Sequence, residues 1–265
     1  MGWLPGDLDT WVEVEIPNPK FQTPRRIYVG RYPVTNHQFA RFIAADGYKE
    51  RGRRWWSDEG WAWRIEKHDS YRGEDPVTQP EYWDHPRFGK NRRGYPVVGV
   101  SWYEANAYCA WLTEELEVSG FKFRVWHGGK PETLNLGSET LTVRLPTEAE
   151  WVAAAGGEEG DRYPWGTKWH ESCANTREGG IDGTTPVAMY PSGQSLPGVW
   201  DMGGNVWEWM RSWYDEEHRR RALRGGSWYG DREFARVRAR VRLGPDRSYF
   251  NGGFRVVVSP AGAGS

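Results

Sequence analysis

Between residues 157 and 260 no apolar stretch runs more than a few residues before Gly, Pro, Asn, Asp or a charged residue interrupts it. Glycine inside a helix or strand costs backbone entropy, and proline lacks the N–H that both structures use. A chain of 265 residues holding 33 Gly and 17 Pro therefore cannot build a long-helix protein or a coiled coil. It has to fold from short strands, short helices and loops. Disorder is excluded by the rings, because 18 Trp, 13 Tyr and 9 Phe supply more apolar surface than an unfolded chain carries. The strongest strand signals in this half are 223–228, 234–242 and 254–258, and no internal repeat is present.

The first half carries clearer signals. Trp11, Val12, Val14 and Ile16 alternate as a strand does, and 26–34 reads as its partner. Thr35 is placed as an N-cap, Phe39, Phe42 and Ile43 follow at helical spacing, and Gly47 stops that helix. Ser101 with Glu104, and Thr147 with Glu150, have the three-residue spacing of the capping box. The first pair opens a helix with Ala105, Tyr108, Cys109, Ala110 and Leu112 on its inner face; the second opens one over 148–155 that Gly156 and Gly157 end. Residues 117–143 read as a Gly-rich loop with a hairpin. The stretch 49–95 is polar and irregular, yet it contains Trp55, Trp56, Trp61, Trp63 and Trp83, so an ordered insertion anchored by buried rings is expected. The whole predicts one α+β domain over 1–265, with two helices early and an antiparallel sheet late.

Charge and cysteine content narrow the function. A formal net charge of −1 gives no global attraction to nucleic acid or anionic membranes. No apolar run approaches the ~18 residues of a membrane span, and the acidic start, 1–15, lacks the apolar stretch of a signal peptide. The default expectation is a cytoplasmic location. Two cysteines, Cys109 and Cys173, exclude a disulfide scaffold and a Cys₄ zinc site.

Seven phrases, in order, carry a resemblance. They are Arg31-Tyr-Pro-Val-Thr-Asn36, Pro96-Val-Val-Gly-Val-Ser-Trp-Tyr-Glu-Ala105, Arg144-Leu-Pro-Thr-Glu-Ala-Glu-Trp151, Tyr163-Pro-Trp-Gly166, Gly203-Gly-Asn-Val-Trp-Glu-Trp209, Leu223-Arg-Gly-Gly-Ser-Trp228 and Gly253-Phe-Arg-Val256. Together they resemble the formylglycine-generating-enzyme, or sulfatase-modifying factor, superfamily. The resemblance implies a C-type-lectin-like fold: two helices, a twisted antiparallel sheet and extensive loops. One departure is that Pro17-Asn-Pro-Lys-Phe21 stands where the family has a glycine-rich loop, which predicts a shortened first strand pair.

In the enzymes of this family a cysteine pair just after the Arg-Gly-Gly-Ser-Trp phrase binds copper(I), as soft thiolates do. The matching positions here are Gly230 and Ala235, so neither copper nor a thiolate is expected. Cys109 lies on an apolar helix face, and His170 with Cys173 is no metal site without further ligands. A second branch, the ergothioneine sulfoxide synthases, uses a histidine triad on iron; His37, His68, His85, His127, His170 and His218 show no such spacing. The family's structural calcium ions imply one site from the side chains of Asp201 and Glu208 and the carbonyls of Gly204 and Val206. They imply a second from Asn175 and Glu178 with the carbonyls of Thr176 and Ile181. The alternative role for Glu208 is a salt bridge to an arginine such as Arg224.

Residues 229–252 fall where the enzymes have their active site. Arg236, Arg238, Arg240 and Arg242 alternate with Val237, Ala239 and Val241, which predicts a strand with arginines on one face. Some lectin-like members of this superfamily are variable proteins of diversity-generating retroelements, which keep the Arg-Gly-Gly-Ser-Trp and Gly-Phe-Arg frame and vary the residues between. Adenine mutagenesis of Asn codons yields no Lys, Trp, Met, Gln or Glu, and 229–252 contains none of these except Glu233. The resemblance thus implies a non-catalytic ligand-binding protein with a variable region at 225–258. Its binding face would comprise Tyr229, Asp231, Arg232, Phe234, Arg236, Arg238, Arg242, Arg247, Tyr249, Phe250 and Asn251. The expected partner is a protein or cell-surface molecule, not nucleic acid, and a phage-associated location joins the cytoplasmic one. The alternatives are a family oxidoreductase with other chemistry and a sensor domain of a larger protein.

Overall fold

The computed structural model describes residues 9–17, 24–66, 76–118, 124–127, 130–133, 140–157 and 162–260. In chain order the elements are β1 Thr10–Ile16, β2 Arg25–Gly30, α1 Asn36–Ala44, α2 Asp58–Ile65, α3 Trp102–Val118, β3 Arg124–His127, β4 Lys130–Thr133 and β5 Leu141–Arg144. Then follow α4 Glu148–Ala154, β6 Trp207–Trp213, β7 Arg221–Arg224, β8 Arg240–Leu243, β9 Gly252–Gly253 and β10 Val257–Pro260. One sheet has the order β4-β3-β1-β2-β10-β5, and a second has β8-β7-β6-β9. Both are mixed, because β1 runs parallel to β3 and β6 parallel to β9. The α+β class and the lectin-like architecture are as the sequence implied, with more helices than the two expected and a six-stranded sheet that starts at β1. The first strand pair is not shortened: β1 and β2 stay in register from Trp11 opposite Gly30 to Ile16 opposite Arg25.

Local signals account for the helix starts. Thr35 and Gln38 form a full capping box on α1, and Thr147 and Glu150 form one on α4. At α3 the Ser101 N–H donates to Glu104 Oε2 at 2.7 Å while Ser101 Oγ accepts from the Glu104 N–H. Glu150 also takes Arg144 and Arg25, so one buried carboxylate fixes the helix start to β2 and β5.

The insertion is ordered where described, and its rings form part of the main core. Trp55, Trp56, Trp63 and Trp83 are buried. Phe42 meets Trp55 and Trp56, and Phe39 stacks on Tyr108 with centroids 5.4 Å apart. The indole N–H of Trp56 donates to the Gly47 carbonyl and that of Trp55 to Glu114 on α3. Asn36 binds the turn 88–92 through three carbonyls, those of Phe88, Gly89 and Arg92. The expected hairpin within 117–143 is the β3–β4 pair.

Three strand expectations are corrected in extent. The 223–228 signal yields β7 only as far as Arg224, because Gly225 and Gly226 take φ of +99° and +74° and turn the chain away. The 254–258 signal yields β10 from Val257, although the carbonyls of Phe254 and Val256 still bond to the Val34 and Gly30 amides. The 234–242 signal is a strand only over Arg240–Leu243. Before it, Arg232–Ala235 is a 3₁₀ turn capped by Asp231, whose Oδ1 accepts from the Glu233 N–H. The period-two burial of Ala235 and Val237 that suggests a strand is real, but the Val237 amide bonds to the Arg162 carbonyl, outside any ladder.

Candidate functional site

Both faces of the second sheet pack on core: Met210 and Ala222 on one side, and Trp209 and Leu223 on the other, where Trp207, Val241 and Leu243 are only partly covered. On β6, Glu208 and Met210 are buried inside, while Trp207 and Trp209 occupy the other side. Trp209 lies opposite Leu223, and Leu223 opposite Val241, so pairing continues that side across three strands, with Leu243 two residues further on. These five side chains floor a pocket of about 420 Å³. Its walls come from Tyr229, Tyr249, Phe250, Asn251 and Gly252.

The wall stands on the insertion. Phe250 contacts the rings of Tyr82, Phe88, Trp228 and Tyr229. Trp228 stacks on Phe88 at 5.9 Å, and Phe88 stacks on His85 at 4.9 Å. Ser248 bonds to Glu81, and the Tyr249 carbonyl accepts from the Gly99 amide. Gly99 has φ +73°, and an added Cβ would sit 2.5 Å from the Tyr82 ring, so this contact requires glycine. Asn251 is oriented by donating to Ser227 Oγ and holds β6 through its carbonyl and the Trp207 amide.

Of the eleven residues expected on the binding face, Tyr229, Arg242, Tyr249, Phe250 and Asn251 line the pocket. Phe234 sets its ring edge-to-face on Trp207 at 5.7 Å and extends the aromatic surface. Phe250 is half-buried, part of the packed frame, whereas Tyr229, Phe234 and Tyr249 are 60%, 43% and 50% exposed. The arginines do not form one row. Arg236 lies over the Tyr163 ring and pairs with Glu233, and Arg238 also faces Glu233. Arg232 is near Glu233 as well, with its amide on Glu178; Asp231 pairs with Arg177, and Arg247 with Asp246. Only Arg240 and Arg242 keep strand alternation; Arg240 points away from the pocket, and Arg242 lines it with its guanidinium drawn toward Asp215. Arg240 reaches Glu148 and the Tyr214 carbonyl, and Arg242 lies 3.8 Å from Asp215 and over Tyr214. The residues that sequence reasoning left out of the face are the floor: Trp207, Trp209, Leu223, Val241 and Leu243. Their signal is the same alternation, read for the apolar partners of the arginines.

Gly230 and Ala235 lie in the loop that carries Phe234, and neither lines the pocket. A Cβ on Gly230 would lie 3.2 Å from the Phe234 ring, and Ala235 is fully buried. Cys109 and Cys173 are both buried, and burial raises both thiols, which disfavours the thiolate needed for nucleophilic or metal chemistry. Among the described residues no three His, Cys, Asp or Glu side chains converge on a point that could hold a metal ion.

The first calcium set does not fit an ion as it is placed. Glu208 is fully buried, with Oε1 on Arg255 Nη2 at 2.6 Å and Oε2 on Arg255 Nε at 2.7 Å and Trp151 Nε1 at 2.9 Å. Its arginine partner is Arg255, while Arg224 pairs with Glu148. The Gly204 carbonyl accepts from the Val206 amide. Asp201 accepts from the Ala188 amide, and burial, with the Glu208 charge adding to it, pushes its carboxyl up to about 6. The second set fits better: Asn175 Oδ1 is buried with no hydrogen-bond partner, while Asn175 Nδ2 is used by Gly183 and Asn205. Glu178 accepts from the Arg232 amide, and Ile181 is 47% exposed.

The domain family described as Sulfatase-modifying factor enzyme 1-like matches residues 6–260. Hercynine oxygenase of Mycolicibacterium thermoresistibile is 32% identical over 76% of this chain, which spans 43% of that protein's length. Inactive C-alpha-formylglycine-generating enzyme 2 of Bos taurus is 31% identical over 84% of this chain and 74% of its own length. Among solved structures, Treponema denticola variable protein 1 superposes with a TM-score of 0.56 at 21% identity, covering 95% of this chain and 93% of its own. That likeness establishes the fold. No helix among the described residues is long and apolar enough to cross a membrane.

Proposed function

The chain belongs to the sulfatase-modifying factor family, and from that premise we propose that it is a non-catalytic binding protein whose ligand meets the pocket over the second sheet. One observation carries this reading: Gly230, which follows the pocket-wall residue Tyr229, and Ala235 stand where sulfur would be needed for the family's copper chemistry. The rings of Tyr229, Phe234 and Tyr249 are exposed while Trp209 and Trp228 are buried, which suits a surface that varies while the fold stays. The reading takes the protein as a variable protein of a retroelement, with 225–258 diversified and a protein or cell-surface molecule as its partner. It includes a structural calcium ion at the Asn175 loop, held through oxygens of Asn175 and Glu178.

The competing reading, an oxidoreductase of this family with other chemistry, is favoured by the 32% identity to a hercynine oxygenase. Two assays separate them: aerobic turnover of hercynine, expected to be absent, tests the chemistry that the oxygenase likeness favours, and a sulfatase peptide tests the copper chemistry. Incubation with a cysteine-containing sulfatase peptide, with and without copper, is expected to give no aldehyde product above a protein-free control. Turnover overturns the binding reading. A reverse transcriptase gene beside a near-copy of the 225–258 coding segment would support the diversified form, and its absence would remove it.

A further inference from the structure

Among the described residues, no carboxylate lines the pocket and Arg242 is the one charged residue that does; its guanidinium is engaged by Asp215 and Tyr214 on the other side of the sheet. The arginines outside the mouth have carboxylates within 4 Å: Arg177 with Asp231, Arg232 with Glu233 and Arg247 with Asp246. A cation bound inside would find aromatic faces but no counter-ion, above a floor that is partly aliphatic, at Leu223, Val241 and Leu243. An anion at the mouth would have to compete with Asp231, Glu233 and Asp246, which already stand beside these arginines. A volume of about 420 Å³ with aromatic walls suits a neutral ring.

The surroundings identify what carries that ring. Three of the large hydrophobic side chains left exposed, Tyr229, Phe234 and Tyr249, cluster at this mouth and its margin. A small molecule inside the pocket would leave them in water. Only a macromolecule covers both the recess and the rings around it, with the Arg–Asp and Arg–Glu pairs as a polar rim.

Resting on the binding reading above, we propose that the pocket accepts an uncharged aromatic side chain presented by a protein partner, recognised by shape and apolar contact without charge pairing. Single-residue probes test this on the full chain: the N-acetyl amides of Trp, Phe, Lys and Glu, with free indole as the small-molecule comparator. Saturation-transfer NMR and calorimetry give site and affinity. The Trp or Phe amide should bind saturably, about tenfold or more tighter than the Lys and Glu amides. Its affinity should change less than about twofold between roughly 50 and 500 mM salt. Leu223→Trp, which fills the floor, and Tyr249→Ala, which removes an exposed wall, should each weaken it by about fivefold or more. Tighter binding of a charged amide, strong salt dependence, no saturable binding, or Leu223→Trp and Tyr249→Ala both without effect would overturn the proposal. Indole binding well ahead of the Trp amide would overturn the protein source. None of these outcomes bears on peptide turnover, so failure here is distinguishable from failure of the non-catalytic reading.

Discussion

Arg247 and Arg255 lie close together in the chain and have opposite fates. Arg255 has no exposed surface; its guanidinium spans both oxygens of Glu208 and the carbonyls of Gly30 and Trp200, joining both sheets to the loop before β6. Arg247 is 62% exposed at its side chain and pairs with the neighbouring Asp246. The Gly-Phe-Arg segment holds the fold, while the loop before it is built on the fold. A buried pair is expensive to break, because the surviving charge is left without water or partner; an exposed pair is worth little. The difference teaches where substitutions can accumulate.

The sharpest way to break this comparison is at its buried end. Arg255→Ala is expected to cost about 3–5 kcal/mol by stranding Glu208, and Trp228→Ala about 3–5 kcal/mol by emptying the space between Phe88 and Phe250. Urea denaturation measures both, and a loss near zero for Arg255→Ala would show that Glu208 has another partner. Next is the line between frame and display. Serine at Tyr229, Asp231, Arg247 and Tyr249 together should change stability by no more than about 1–2 kcal/mol. Adding Phe250→Ser should remove a further ~2 kcal/mol, since that ring packs on Tyr82, Phe88 and Trp228. Collapse of the four-serine variant would show that the face is packed as a unit.

The third prediction concerns calcium. At free ion a few times its dissociation constant, binding at the Asn175 loop should contribute about 1 kcal/mol, a melting-temperature difference of roughly 2–4 °C between calcium and chelator. Asn175→Ala should erase that difference, whereas Arg255→Ala should retain it if the variant folds. A melting curve indifferent to chelator removes the ion from the reading.

The smallest effect sharpens the insertion's attachment. Glu114 accepts from Arg54 and from the Trp55 indole, and these bonds lower its carboxyl to about 2. The folded value lies below the ordinary one, so the contribution is present above about pH 4.5 and is lost as pH falls through about 2. The site is exposed, so less than about 1 kcal/mol is expected. Glu114→Gln should flatten stability across that acid window, and an unchanged acid slope would show that the link adds nothing.

Much of the frame was legible because its signals are local. A capping box needs only two residues three apart, so the starts of α1, α3 and α4 follow from Thr35, Ser101 and Thr147. The insertion's order follows from tryptophans too costly to leave in water. The loop after Gly226 was misread because alternation of small apolar residues fits both a strand and a turn whose inner side is packed. Choosing between them depends on what approaches from elsewhere, here Phe234 against Gly226 and the Arg162 carbonyl on Val237.

By itself, the sequence determined the family, the α+β class, the helix starts, the missing sulfur at Gly230 and Ala235, and the stretch that carries the candidate site. Tertiary structure alone decided which arginine Glu208 takes and which side of the second sheet carries the pocket. It also decided that Arg240 turns to Glu148 and the Arg242 guanidinium to Asp215, while Val241 and Leu243 face the pocket. The physical reason is range. Caps and period-two patterns are set within a few bonds of each residue, whereas an ion pair, a sheet face and a pocket form from segments far apart in sequence, and the lowest free energy of the packed whole selects among partners that are locally equivalent.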